Sequence, residues 1–77
     1  MPLEKAFGLV LQRIRKSRGL SQEALADASG LHRTFVSQLE RGIKSPSLSS
    51  LCSLADALNM DAADLLTEVR RLSKAGG

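Results

Sequence analysis

Apolar residues recur along this chain at intervals of three and four, the spacing of helices that each bury one face. Leu3, Phe7, Val10, Leu11 and Ile14 make the first stripe and predict a helix over about residues 4–17. Its other side carries Arg13 and Lys16, with Arg15 nearby. Arg18-Gly19-Leu20 reads as the turn out, and Ser21 as the N-cap of a second helix, its hydroxyl taking up free N–H groups. A third helix is predicted over about residues 33–41, with Val36 and Leu39 inward and Arg33, Thr34, Ser37, Gln38 and Arg41 on one polar face. After the Ile43-Lys44-Ser45-Pro46 loop, Ser47 caps a fourth helix whose stripe is Leu48, Leu51, Cys52, Ala55 and Leu58, with Leu54 beside it. Asn59 suits a left-handed residue behind that helix. Asp61 caps a fifth, over about residues 62–73, and Asp64 three residues on resembles a capping box. Leu65, Leu66, Val69 and Leu72 are its stripe, and Ser73-Lys74-Ala75-Gly76-Gly77 is expected to fray. No segment alternates with the period of a strand. The expected fold is all-α, five helices.

Between Gln22 and Arg41 the pattern is more specific. Two short helical segments meet at Gly30, which can take positive φ just past a helix end and so turn the chain sharply. Ala26 is small, as a residue must be where a second helix crosses closely. Leu25, Leu31, Val36 and Leu39 supply the apolar inside of the corner. This is the arrangement of a DNA-reading helix-turn-helix, spanning about residues 21–42.

The run Gly19-Leu20-Ser21-Gln22-Glu23-Ala24-Leu25-Ala26 resembles the lambda-repressor-like (xenobiotic-response-element type) DNA-binding domains. Gly30-Leu31, Val36-Ser37-Gln38-Leu39-Glu40-Arg41-Gly42 and Ser45-Pro46-Ser47 extend the likeness to roughly residues 6–67. Within that superfamily, Leu31-His32-Arg33-Thr34-Phe35-Val36-Ser37 is most similar to the controller proteins of restriction–modification systems, small dimeric transcription regulators. The resemblance implies an ion pair between Arg15 and Glu40 behind the third helix. It implies that Gln22 donates to a phosphate and braces a base reader. It also implies a two-fold dimer through the fifth helix, alone or with the end of the fourth, for which Leu65, Leu66, Val69 and Leu72 offer more apolar surface than a small core readily covers.

At 77 residues the chain has room for one domain, residues 1–77. A domain of this size buries only about 60% of its unfolded surface, so a second subunit would add stability. No apolar run reaches the roughly 18 residues of a membrane span, and Met1-Pro2-Leu3-Glu4-Lys5 lacks the layout of a secretory signal. A single cysteine, Cys52, excludes an internal disulfide and fits a reducing cytoplasm; it is expected as a small buried residue. Charge is uneven. Residues 1–46 hold eight Lys/Arg against four Asp/Glu, whereas residues 47–77 hold three against four, so the positive excess shares the half that holds the helix-turn-helix.

Each polar residue of that half has a chemical expectation. Arg33 offers a planar fork that matches guanine O6 and N7. Thr34 and Ser37 can touch a base or a phosphate, and Gln38 suits adenine or a backbone contact. Gln22, His32, Arg41, Lys44 and Ser45 are candidates for phosphates, contacts that position without reading sequence. Arg13, Lys16 and Arg18 either join that clamp or are solvated. Phe35, where controller-like proteins often have Tyr, either packs at the core edge or meets thymine methyls or a deformed base step.

With one His, one Cys, no Trp or Tyr, no glycine-rich phosphate loop and no metal-ligand spacing, neither catalytic residues, a metal nor a cofactor is expected. No small-molecule sensing region is expected either. The leading reading is a homodimeric regulator of a pseudo-palindromic operator, controlling a restriction–modification operon. The competing one is a protein-interaction or antitoxin-like module on the same fold, against which the polar, basic third helix argues.

Overall fold

Every helix of this chain begins or ends on a residue whose chemistry stops it there. The computed structural model describes residues 1–75 and contains five α-helices: α1 (Leu3–Ser17), α2 (Gln22–Ser29), α3 (Arg33–Glu40), α4 (Leu48–Ala57) and α5 (Ala62–Ala75). Ser21 Oγ accepts from the Ala24 N–H at 3.0 Å, and Ser47 Oγ from the Ser50 N–H at 3.1 Å, so α2 and α4 start on true side-chain caps. Asp61 Oδ1 takes the Ala63 N–H at 2.8 Å at the head of α5. The expected capping box does not form: the Asp61 carboxylate is taken by the Ala63 N–H, and Asp64 contributes its N–H to the Asp61 carbonyl, at 3.0 Å, with no carboxylate bond back to residue 61. Gly30 ends α2 at φ 73°, and the Leu31 N–H closes on the Ala26 carbonyl at 3.0 Å. Asn59 is left-handed, at φ 57°.

The helices surround one apolar core to which all five contribute. Val10 and Leu11 (α1), Leu25 (α2), Val36 and Leu39 (α3), Leu54 (α4), Leu58 just behind α4, and Leu65 and Val69 (α5) are fully buried. α1 lies between α3 and α5, α2 packs on α3 and α4, and α4 closes against α5. The approach of α1 to α3 is closer than a side chain permits. A β-carbon on Gly8 would stand 2.5 Å from the Leu39 carbonyl oxygen and 2.6 Å from that of Glu40. Glycine is required there, in mid-helix, because backbone meets backbone.

Three expectations need correcting. Leu48 is 82% exposed and Cys52 is exposed, so the buried stripe of α4 is Leu51, Leu54, Ala55 and Leu58. Both stripes have helical spacing and share three members, and the choice between them is made by α2 and α5, not by local pattern. On α5, Leu65 and Val69 are consumed by the protomer's own core, so they have almost no surface to give a second subunit. Leu66 keeps 43% of its surface and Leu72 is half-buried. Ser73-Lys74-Ala75 does not fray. Ser73 accepts the Met1 ammonium at its carbonyl (3.3 Å) and donates from Oγ to the Met1 carbonyl (3.2 Å), which fastens the end of α5 to the start of α1. Gly76 and Gly77 lie outside the described residues. Among those described, no helix is long and apolar enough to cross a membrane.

Candidate nucleic-acid interface

The α2–turn–α3 unit is held from behind by a buried polar cluster. Arg15 of α1 donates from Nε to Glu40 Oε2 at 2.6 Å and from Nη2 to Glu40 Oε1 at 3.0 Å. Its Nη1 donates to the Leu20 carbonyl at 2.7 Å. Gln22 Nε2 donates to Glu40 Oε1 at 3.0 Å. The two charged side chains are only 8% and 2% exposed, and no buried side-chain polar atom among the described residues lacks a partner. A bidentate guanidinium–carboxylate pair in which every nitrogen and every carboxylate oxygen has a partner is the form in which a buried charge pair is tolerable. The cluster ties α1, the turn before α2, the first residue of α2 and the last residue of α3 into one frame. The ion pair expected between Arg15 and Glu40 is therefore present. Gln22 departs from expectation in part, since one of its N–H groups is committed to Glu40 and only the second can reach outward.

The opposite side of α3 is unspent. Arg33 and Thr34 are exposed, Ser37 and Gln38 are half-buried, and Arg41, Lys44 and Ser45 are exposed on the way out of the helix. Among the described residues none of these seven side chains forms a hydrogen bond or ion pair within the protein. His32 sits at the N-cap with extended backbone (φ −78°, ψ 143°) but makes no side-chain cap bond, so the first-turn N–H groups of α3 remain open beside an exposed imidazole. At 1.5 Å per residue, α3 is about 12 Å long, comparable with the width of a B-DNA major groove, about 12 Å. Polar, positively charged and unpaired, this face can donate to anionic oxygens and to base edges.

Arg13 and Arg18 are engaged elsewhere. Arg13 pairs with Glu68 of α5 at 3.0 Å, and Glu68 also holds Arg71 at 3.1 Å. Arg18 Nε donates to the Leu58 carbonyl at 3.0 Å. Both residues are exposed, as the solvated alternative has it, but each also ties α1 to the far side of the fold, which the sequence did not indicate; Lys16 is exposed and unpaired among the described residues. Phe35 is half-buried and packs on the core cluster. Gly8 is the residue that sequence reasoning missed. Its signal was available, because a glycine inside an amphipathic helix costs stability and calls for a packing reason.

Comparison with known proteins adds to this geometry. A helix-turn-helix family pattern (HTH_3) matches residues 11–65. Control protein C.SmaI of Serratia marcescens is 40% identical over 67 residues, which cover 87% of this chain and 80% of that protein. The crystal structure of the restriction-modification controller protein C.AhdI from Aeromonas hydrophila superposes with a TM-score of 0.79 at 42% identity, over 80% of this chain and 94% of that one. The controller protein C.Esp1396I, solved as a tetramer in complex with its natural 35 base-pair operator, superposes at 0.83 with 26% identity, over 94% of this chain and 95% of that one. On the match of family, sequence and fold together, the chain belongs to the helix-turn-helix (HTH_3) family and within it is similar to the control proteins of restriction–modification systems.

Proposed function

We propose that this protein is a sequence-specific transcription regulator that binds a pseudo-palindromic operator as a homodimer and controls a restriction–modification operon. The observation that carries the reading is the contrast across α3: a buried Arg15–Glu40–Gln22 frame behind, and an exposed, unpaired polar face in front. The operator complex of C.Esp1396I supports it. In this reading Arg33 takes guanine O6 and N7, Gln38 takes adenine, and Thr34 and Ser37 fill the remaining base contacts. Arg41, Lys44, Ser45, His32 and the free N–H of Gln22 hold phosphates and set the docking register.

The second copy docks on an apolar groove lined by Leu3, Phe7, Pro46, Leu48, Leu51 and Leu66. Leu48, Leu3 and Leu66 are the exposed apolar residues around it, at 82%, 45% and 43%. Of the α5 stripe assigned on sequence, Leu66 and the nearly buried Val69 line this groove, whereas Leu72 lies on another face beside Arg13 and Glu68. A dimer presents two copies of α3, so half-site centres stand about 34 Å apart, one helical turn.

Selection of binding sites from random duplexes, run on wild type, Arg33→Ala and Lys44→Ala, tests the assignment. Wild type is expected to return a two-fold motif. Arg33→Ala is expected to relax one base pair per half-site at a cost of about 1–3 kcal/mol. Lys44→Ala is expected to weaken all sequences alike. A wild-type selection that returns no motif refutes the function. A motif changed by Lys44→Ala and untouched by Arg33→Ala reverses reader and clamp.

A further inference from the structure

The exit of α3 carries one cation that its own segment does not supply. Gly42, between Arg41 and the exposed Ile43-Lys44-Ser45 run, is packed against α1: a β-carbon on it would stand 3.1 Å from Lys5 Cα and 3.1 Å from Lys5 Cγ. The first part of the Lys5 stem is therefore seated on the backbone that leads out of α3. Lys5 remains exposed, and among the described residues its ammonium has no carboxylate or carbonyl partner. Three other cations of this region, Arg13, Arg15 and Arg18, are bound to Glu68, Glu40 and the Leu58 carbonyl. The neighbouring acid, Glu4, lines the apolar groove with Leu3, Phe7, Ser45 and Pro46, and among the described residues it forms no ion pair with Lys5.

We infer that Lys5 is a phosphate-binding residue of the operator interface, a cation delivered by α1 to the same backbone stretch that Arg41 and Lys44 grip. The inference rests on the operator-binding reading above and extends it to a residue 37 positions before Gly42 in the sequence. A stem already held against Gly42 loses less freedom on docking than a free lysine does, and this favours a contact that recurs at the same phosphate. Such a contact is blind to base identity and releases counterions.

The test is the salt dependence of binding to the duplex recovered by selection, measured for wild type, Lys5→Ala, Lys5→Arg and Lys74→Ala, with thermal unfolding of each variant alongside. Lys74 is exposed near the end of α5 and serves as the charge-matched control. Loss of one phosphate contact lowers the slope of log K against log salt by about 0.9, so the affinity gap between wild type and Lys5→Ala narrows about 3.5-fold from roughly 50 to 200 mM salt. Lys5→Arg and Lys74→Ala are expected to keep the wild-type slope. A Lys5→Ala slope equal to wild type overturns the inference, and weaker binding with that unchanged slope marks Lys5 as a packing stem only. An equal slope loss in Lys74→Ala also overturns it, as a non-specific charge effect. If wild type binds no duplex, the operator-binding reading falls and takes this inference with it; if wild type binds and only the Lys5 slope is unmoved, the reading stands and the inference alone fails.

Discussion

Replacing Gly8 by alanine sets two opposing effects against each other, and the structure decides between them. Helix propensity favours the change, because alanine is better than glycine by about 1 kcal/mol in a helix interior. Packing opposes it. The new β-carbon would lie 2.5 Å from the Leu39 carbonyl oxygen, where ordinary contact begins at 3.4 Å, so α1 and the end of α3 must part by about 0.9 Å. Both obstructing oxygens are backbone atoms, and no rotamer change moves them aside. Overpacking costs about 1–3 kcal/mol where side chains can adjust, and this site belongs at or above the upper end. The net expectation is destabilisation by about 2 kcal/mol, or roughly 8–16 °C in Tm for a domain of this size. Thermal unfolding followed by circular dichroism measures it, at one fixed protein concentration because the proposed dimer would make Tm concentration-dependent. At temperatures where the variant stays folded, operator affinity should fall as well, since the exit of α3 is displaced. A Gly8→Ala protein that melts at or above the wild-type temperature refutes the close approach of the two helices.

Arg15→Ala leaves Glu40 buried with Gln22 as its remaining partner and is expected to cost about 3–5 kcal/mol by urea unfolding; a cost under about 1 kcal/mol would mean water reaches the pair. Ser21→Ala removes the α2 cap and is expected to cost about 1 kcal/mol in the same assay, with no cost if solvent replaces the hydroxyl fully. Leu48→Asp should shift sedimentation toward monomer without lowering the stability of the protomer, because Leu48 is 82% exposed; wild-type protein that is monomeric at tens of micromolar defeats the groove as a subunit contact. Val69→Asp should instead unfold the chain, as expected for a side chain 1% exposed in the core.

The elements legible in the sequence were those specified within a few residues of themselves. Ser21, Ser47 and Asp61 cap their helices through bonds that reach two or three positions along the chain, and Gly30 turns it where its backbone freedom is needed. The Arg15–Glu40 pair was reached through family resemblance, since nothing local links residues on different helices. What could not be read depends on which neighbour arrives. Leu48, Leu51, Cys52 and Ala55 form as good a stripe as Leu51, Leu54, Ala55 and Leu58 until α2 and α5 cover one of them. Leu65 and Val69 look the same on paper whether they fill their own core or a partner's. Arg13 and Arg18 carry the charge of a clamp but find Glu68 and the Leu58 carbonyl across the fold.

The split across α3 also bears on how such a protein changes its target. Arg33 and Thr34 are exposed, and neither side chain bonds to any other described residue. Substitutions at exposed positions of that kind usually shift stability by less than about 0.5 kcal/mol. Arg15, Gln22 and Glu40, by contrast, are locked together and cannot vary singly without loss. A descendant of this chain can therefore wander toward a different operator one exposed residue at a time, each intermediate remaining folded, while the scaffold that presents those residues stays as it is.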